Sequence, residues 1–222
     1  MRIDLIGDST QTNNAGYGRG FCANLTSRVD CVNMAHGGAS TKTFRVDGLW
    51  ARSLATKPDY MLIQFGHNDM ESKDHDQRQT TMTQYEGNLR DFVTEARAAH
   101  IRPVLVTPLT RRYFGEDGKI HSDLLAHAET MKRVAQSMHV PLIDLQAESI
   151  EYLDKIGPAA GDKLGITKKD SQGRTIPDKT HLNWQGSYVF GRIVAVDLGK
   201  AVPDLATYIL PEPASLPEEG QL

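Results

Sequence analysis

Residues 1–10 read Met-Arg-Ile-Asp-Leu-Ile-Gly-Asp-Ser-Thr, an apolar stretch that stops at Gly7 and gives way at once to polar residues. A short apolar run that ends in glycine is typical of a buried strand, and the polar residues after it are typical of a loop. In an open α/β sheet, reactive groups collect just beyond the carboxyl ends of the strands. The stretch therefore predicts a first strand with the Ser9 hydroxyl at its functional edge, although a serine after a strand also commonly caps a turn or helix.

The rest of the chain repeats this alternation of buried strand and amphipathic helix. Four further apolar runs predict strands at positions 29–35, 60–65, 103–106 and 140–144. Apolar residues at helical spacing predict helices near positions 18–28, 80–99, 124–138 and 184–201. Repeated strand–helix units predict an α/β fold in which a five-stranded parallel sheet is covered by helices on both faces.

A chain of 222 residues suits a single domain that buries an adequate core without metals or disulfides. We expect this domain to span residues 1–205. The segment 157–177 is rich in Gly, Pro, Lys and Asp and predicts a surface loop. Residues 206–222 contain three prolines and predict a C-terminal tail, either a strap or a disordered end.

The charge pattern excludes some classes of partner. Lys and Arg total 25 against 28 Asp and Glu, and neither sign forms a long block, which argues against nucleic acid or an anionic membrane as partner. No apolar run approaches the roughly 20 residues of a membrane helix. No signal peptide opens the chain, so we expect a cytoplasmic protein, or a secreted or periplasmic one if a leader has been removed. A monomer or small homo-oligomer is expected.

Cys22 and Cys31 are the only cysteines, and their spacing does not resemble a metal site. They fall on the predicted first helix and second strand. We favour two free buried thiols; the alternative is a disulfide that joins the helix to the strand and indicates an oxidising compartment.

The loops that follow the strands carry the groups that acyl transfer needs. A serine hydroxyl is a weak nucleophile until a base takes its proton and an acceptor orients that base. His181 and Asp178, three residues apart, can supply the base and the acceptor for Ser9. The backbone N–H groups of Ser9 and Gly38 and the amide of Asn68 can stabilise the resulting oxyanion.

In sequence order, these groups resemble the conserved blocks of the SGNH, or GDSL-type, hydrolases. The matching residues are Gly7-Asp8-Ser9, Gly38, Gly66-His67-Asn68-Asp69 and the segment 178–181, and they extend over nearly the whole chain. The resemblance implies a flavodoxin-like three-layer α/β/α fold. It also implies a serine esterase mechanism without a metal or other cofactor.

Three further stretches resemble the rhamnogalacturonan acetylesterase-like branch of that family. They are Gly16-Tyr17-Gly18, the residues 33–40 around the oxyanion glycine, and the sequence TPLTRR at 107–112. The sequence departs from the branch at Tyr17, where a tryptophan is usual. This resemblance implies that the substrate is an acetylated carbohydrate of the pectic, rhamnogalacturonan type, from which the enzyme removes O-acetyl groups through an acetyl-serine intermediate.

Candidate substrate-binding residues lie close to the same edge. We predict that Arg111 or Arg112 pairs with a uronate carboxylate, while Tyr113 or Trp184 stacks on a sugar face. A mixed surface loop is the alternative interpretation of the residues after the fourth strand.

Several other polar residues are interpreted as structural. Asp8 and Asp69 are expected to hold loops through bonds from side chain to backbone, and His67 has no evident partner. The segment Asp74-His75-Asp76 is interpreted as a solvated charged loop rather than a metal site.

Two other classes of function remain open at this stage. A lipase, lysophospholipase or thioesterase uses the same machinery but needs an apolar acyl channel, and the loops here are polar. A non-enzymatic α/β module, such as a carbohydrate-binding or phosphoacceptor domain, would not need an activated serine. A glycosidase would need a pair of carboxyl groups that this sequence does not offer clearly.

Overall fold

A computed structural model describes residues 1–70 and 77–213 of the chain. Its main sheet has five parallel strands: β1 (Arg2–Gly7), β2 (Asp30–Asn33), β3 (Tyr60–Gln64), β4 (Arg102–Val106) and β5 (Leu142–Ile143). Their spatial order is β2-β1-β3-β4-β5. This is the flavodoxin-like order, in which the direction of winding reverses between β1 and β3. The predicted fold class is confirmed.

Eight α-helices are described around this sheet: α1 (Gly18–Ala23), α2 (Thr41–Val46), α3 (Leu49–Ala55), α4 (Met82–Ala98), α5 (Leu125–Met138), α6 (Leu145–Ile156), α7 (Pro158–Asp162) and α8 (Trp184–Ala201). Short 3₁₀ helices span Ser9–Gln11 and Pro203–Tyr208. The sequence predicted α4, α5 and α8 closely and gave α1 too long. It missed α2, α3, α6 and α7. Within the described ranges, no helix is long and apolar enough to cross a membrane.

Alternating side chains of the strands divide the core into two layers. In β1, Ile3 and Leu5 pack with Phe190 of α8 on one face of the sheet. Ile6 points to the other face and packs in the cluster that contains Phe92 of α4. Both faces are therefore covered, which leaves the carboxyl edge of the sheet as the place where loops are exposed.

The segment 157–177 is not the simple surface loop that the sequence predicts. It contains α7 and then pairs, as β6 (Gly165–Lys169), with the antiparallel strand β7 (Thr175–Leu182). Most residues of β6 are exposed, so the hairpin has no buried apolar face that could produce a recognisable alternation. Asp178 and His181 consequently lie on a strand, not in a loop.

Cys22 and Cys31 form a disulfide, so the interpretation as two free thiols is wrong. The bond joins the end of α1 to β2. The first part of the predicted tail lies against the domain, because Ile209 forms a β-bridge with Leu25 and Leu210 N donates to Asn24 O at 2.9 Å. Residues 214–222 lie outside the described part of the chain, and the domain boundary stays a prediction.

Candidate active site

Ser9, His181 and Asp178 form a continuous chain of contacts at the carboxyl edge of the sheet. Ser9 Oγ lies 3.0 Å from His181 Nε2, and His181 Nδ1 lies 3.1 Å from Asp178 Oδ2. Ser9 begins the 3₁₀ helix after β1, whereas the other two residues lie on β7. This geometry is that of a serine nucleophile with a base and an orienting carboxylate.

The Asp178 carboxylate is held in its charged form. Burial acts to raise its pKa, but hydrogen bonds from the backbone N–H and imidazole of His181 and from the backbone N–H of Thr180 outweigh this and lower the pKa to about 2. Asp178 Oδ1 accepts the two backbone bonds, at 2.9 Å from His181 N and 2.8 Å from Thr180 N. The other oxygen is thus left for the imidazole, which fixes the orientation of the ring.

Asp8 shapes the turn that presents Ser9. Its buried carboxylate accepts hydrogen bonds from the backbone N–H of Thr10 at 2.9 Å and from the Thr10 hydroxyl at 2.7 Å. The second oxygen lies 3.3 Å from His67 Nδ1 and accepts a hydrogen bond of 3.3 Å from Gln64 Nε2. Burial acts to raise the pKa of Asp8, but the His67 charge and the Thr10 bonds keep it below its ordinary value. His67 therefore has a partner that sequence reasoning missed.

The predicted oxyanion donors lie on loops that are tied together. His36 N donates to Gly7 O at the end of β1, and Asn68 Nδ2 donates to Ala39 O, both at 2.9 Å. Gly38 has a φ of +78°, in the left-handed region that favours glycine. Among the described residues, no acceptor takes the backbone N–H of Ser9 or of Gly38. Asn68 still has a second amide hydrogen, so all three groups can donate to a ligand.

Asp69 anchors the loop that contains Gly38. Its buried carboxylate accepts from Thr41 N at 3.1 Å, from Thr41 Oγ1 at 2.5 Å and from Thr80 Oγ1 at 3.1 Å. Thr41 is the first residue of α2, directly after the Gly38 loop. Burial raises the pKa of Asp69 to about 7, against the lowering effect of the Thr41 and Thr80 bonds. The loop-holding role predicted for this residue agrees with these contacts.

Arg112 is not the exposed substrate-binding residue that the sequence predicts. Only 1% of it is accessible, and its Nη2 donates to the backbone carbonyls of Asp178 at 2.5 Å and His181 at 2.8 Å. Its own backbone N–H donates to Lys179 O at 2.8 Å. Gly165 leaves room for the guanidinium, because a Cβ there would clash with Arg112 Nη2. A buried side chain cannot meet a polysaccharide, so Arg112 supports the triad strand instead.

The other predicted substrate residues differ in their surroundings. Arg111 Nη1 lies 2.6 Å from Asp123 Oδ2, so its charge already has an intramolecular partner. Tyr113 is 43% exposed. Trp184 is half-buried and lines a cavity of about 280 Å³. Of these, Tyr113 and Trp184 keep a surface that a ligand can reach.

No cluster of three or more His, Cys, Asp or Glu side chains that could hold a metal ion is found in the ranges 1–70 and 77–213. Asp74, His75 and Asp76 lie outside these ranges, so their interpretation stays a prediction.

Sequence comparisons connect this site to known esterases. Residues 5–188 match the model of the GDSL-like lipase/acylhydrolase family. The rhamnogalacturonan acetylesterase RhgT of Bacillus subtilis is 32% identical over 209 residues, which cover 88% of each chain. The probable rhamnogalacturonan acetylesterase YesY of the same organism is 33% identical over 202 residues, 87% of this chain and 90% of that protein.

Solved structures share the fold. The B. subtilis protein YXIM superposes with a TM-score of 0.76 at 26% identity, over 90% of this chain and only 56% of that one. Axe2, an acetyl-xylooligosaccharide esterase from Geobacillus stearothermophilus, gives a TM-score of 0.65 at 19% identity over 90% of this chain and 93% of its own. The family match extends over most of the chain and contains Ser9, Asp178 and His181. The chain therefore belongs to the GDSL-like lipase/acylhydrolase family and is a carboxylic ester hydrolase.

Proposed function

We propose that this enzyme removes O-acetyl groups from a pectic, rhamnogalacturonan-type carbohydrate through an acetyl-serine intermediate. The observation that carries the proposal is the unbroken path from Ser9 Oγ through His181 to Asp178, with contacts of 3.0 and 3.1 Å. The acetyl group and the pectic polymer are suggested by the named activity of RhgT, a relative that this chain matches over most of its length.

In the first half of the reaction, Ser9 Oγ attacks the ester carbonyl and its proton passes to His181 Nε2. Asp178 keeps the ring oriented and stabilises the imidazolium that forms. The negative charge on the carbonyl oxygen is met by the N–H groups of Ser9 and Gly38 and by Asn68 Nδ2. Each such donor typically contributes about 2.7–4 kcal/mol of transition-state stabilisation. Collapse of the intermediate breaks the bond to the sugar oxygen, which takes the proton from His181.

In the second half, water replaces the sugar. His181 takes a proton from the water, the hydroxide attacks the acetyl-serine carbonyl, and the same three donors stabilise the second oxyanion. Release of acetate returns the proton to Ser9 Oγ. The cycle consumes one water and produces one acetate and one free sugar hydroxyl, so it needs neither an oxidant nor a metal-bound nucleophile.

Replacement of the nucleophile tests the chemistry. Ser9→Ala is expected to fold normally and to hydrolyse p-nitrophenyl acetate at the background rate, because Ser9 Oγ is the hydroxyl that contacts His181 Nε2 and alanine has no group that can attack the ester. Ser137→Ala, which changes an exposed serine of α5, is the matched control and should keep full activity. Undiminished turnover by the Ser9 variant would reject the proposal.

The acyl group and the polymer are tested with substrate series. Activity should fall sharply from p-nitrophenyl acetate to longer acyl esters, since a steady rate out to long chains would indicate a lipase or thioesterase. Acetate release from acetylated pectin, acetylated xylan and small acetylated sugars then identifies the carbohydrate. A clear preference for xylan would contradict the pectic assignment and leave the acetylesterase assignment intact.

A further inference from the structure

His67 is a buried histidine that the proposed reaction does not use. It is 7% exposed and stands directly before Asn68, the side-chain donor proposed for the oxyanion. Its Nδ1 lies 3.3 Å from Oδ2 of Asp8, the residue directly before Ser9. The contact therefore joins the neighbours of two proposed oxyanion donors, although the donors lie on loops that follow different strands.

The Asp8 side of this contact is held independently of His67. Asp8 Oδ1 accepts from the backbone N–H and from the hydroxyl of Thr10, at 2.9 and 2.7 Å. Asp8 Oδ2 also accepts from Gln64 Nε2, at the end of β3. These three hydrogen bonds remain when His67 is replaced. The turn that presents Ser9 should therefore keep its position.

The Asn68 side has no comparable tie to that turn. Asn68 Nδ2 donates to Ala39 O, and the Asp69 carboxylate accepts from Thr41, so both residues are attached to the segment after β2. Within the described ranges, no hydrogen bond joins residues 66–69 to residues 8–11. The contact of His67 with Asp8 is thus what fixes the Asn68 loop relative to the Ser9 turn.

The separation of the two donors matters for the chemistry. Oxyanion donors act when they lie about 2.7–3.1 Å from the position that the negative oxygen will occupy. A displacement of about 1 Å can cost about 100-fold in rate. Because the Ser9 N–H and Asn68 Nδ2 belong to separate loops, the distance between them depends on the contact that joins those loops.

We infer that His67 is a positioning residue for the oxyanion hole. Through Asp8, it holds Asn68 at the distance from the Ser9 N–H that a tetrahedral intermediate requires. The inference rests on the proposed function and adds to it a residue that contacts neither substrate nor the triad.

Replacement of His67 tests this role with p-nitrophenyl acetate as substrate. His67→Phe keeps a ring but removes the group that contacts Asp8. It should lower kcat by about tenfold and change KM by less than about twofold, because the oxyanion exists only after attack on the ester. His67→Leu removes the same group with a smaller side chain and should have the same effect. Urea unfolding identifies which of the two variants is folded, and either one suffices.

His67→Asn is the conservative variant. The carboxamide nitrogen of asparagine lies two bonds from Cβ, as Nδ1 of histidine does, so it can donate to Asp8 Oδ2. This variant should restore kcat to within about threefold of the wild-type value. A folded His67→Asn that is as slow as His67→Phe overturns the inference.

His127→Phe is the matched control. His127 is as buried as His67, and neither ring nitrogen makes a hydrogen bond within the described part of the chain. Its ring packs edge-on against Tyr85 rather than against Asp8. His127→Phe should therefore keep kcat within about twofold of the wild-type value. A loss of kcat equal to that of His67→Phe would show a general packing effect and overturn the inference.

A double-mutant cycle tests whether His67 acts through Asn68. Asn68→Ala alone should lower kcat by about 100-fold. Addition of His67→Phe should lower it by no more than about twofold further, because the group that His67 positions is already absent. A further tenfold loss means that His67 acts elsewhere and overturns the inference, as does a wild-type kcat or a raised KM in His67→Phe alone.

Failure of the proposed function has a different signature. If Ser9→Ala keeps the wild-type rate, the serine mechanism is wrong and the role of His67 is rejected with it. If Ser9→Ala and Asn68→Ala are both slow while folded His67→Phe is not, only the positioning role of His67 is rejected.

Discussion

Substitution of Arg112 by methionine tests whether the triad depends on a residue that touches no substrate. Methionine approximates the length of the arginine stem but has no charge and no donor. The change removes the bonds of 2.5 and 2.8 Å from Nη2 to the carbonyls of Asp178 and His181. Hydrogen bonds to a charged group typically contribute about 1.5–3 kcal/mol each, so the gross loss is about 3–6 kcal/mol.

Part of this loss is offset. Nε and Nη1 of Arg112 have no hydrogen-bond partner among the described residues, so the buried cation is only partly compensated. Burial also lowers the pKa of Arg112, against the opposite effect of Asp178 and Asp162. Removal of a poorly compensated buried charge recovers some desolvation energy. We therefore expect a net destabilisation of about 2–4 kcal/mol.

Arg112 affects catalysis by positioning Asp178 and His181, not by taking part in the reaction. If the strand that bears Asp178 and His181 moves by about 1 Å, the rate can fall by about 100-fold. Arg112→Met should therefore lower kcat on p-nitrophenyl acetate by about 10- to 100-fold with little change in KM. Arg112→Lys keeps the charge and one donor and should recover part of the rate.

Steady-state kinetics measures the change in kcat and KM, and urea unfolding measures the change in the free energy of unfolding. Arg133→Met, which changes an exposed arginine of α5, is the control and should change neither quantity appreciably. The reasoning is refuted if Arg112→Met is destabilised as expected but keeps the wild-type kcat. A rise in KM at constant kcat would instead indicate that Arg112 contacts substrate.

Three further predictions follow from the site and its surroundings. Asn68→Ala removes one oxyanion donor and should lower kcat by about 100-fold at similar KM in acetate-release assays. Asp69 has a pKa of about 7 in the folded chain against an ordinary 3.8, so the folded state binds its proton more tightly. The free energy of unfolding should thus fall by about 4 kcal/mol as the pH rises from 4 to beyond 7. Denaturant titrations across this range should show a smaller fall for Asp69→Asn. Equal falls in the two proteins would contradict a raised pKa at Asp69. Replacement of Cys22 and Cys31 by alanine opens a loop of about ten residues and should cost about 2–3 kcal/mol in the same titrations, unless the wild-type thiols are found to be free.

The strands and long helices could be predicted because burial controls their sequence. Residues 60–63 of β3 are buried and form an apolar run, and α4 has a clear apolar stripe. The hairpin β6–β7 could not be predicted, since its stability comes from backbone pairing rather than from an apolar face. Short helices such as α2 depend on a cap and on tertiary contacts, and they contain too few turns to show a period.

Ser9 could be placed at the edge of the sheet because it directly follows β1. Asp178 and His181 lie on β7, outside the parallel sheet, and could be predicted from their spacing of three residues and from the resemblance of the segment 178–181 to the last block of the family. Ser9 and His181 are 172 positions apart and nevertheless lie in contact. The roles of Arg111 and Arg112 could not be separated in the same way. Neighbouring residues of identical type differ here only in the side to which each points, which depends on the packing of the hairpin.

Three buried charged side chains each tie one part of the site to the end of a different strand. Asp8 holds the Ser9 turn after β1, Asp69 holds the Gly38 loop from the end of β3, and Arg112 holds the triad strand from the segment after β4. A buried polar or charged group that loses its hydrogen-bond partners is costly, so each of these contacts holds its segment in one geometry. Substitutions at the three should therefore act on kcat. Changes at exposed Tyr113 or in the cavity lined by Trp184 should act on which ester the enzyme binds.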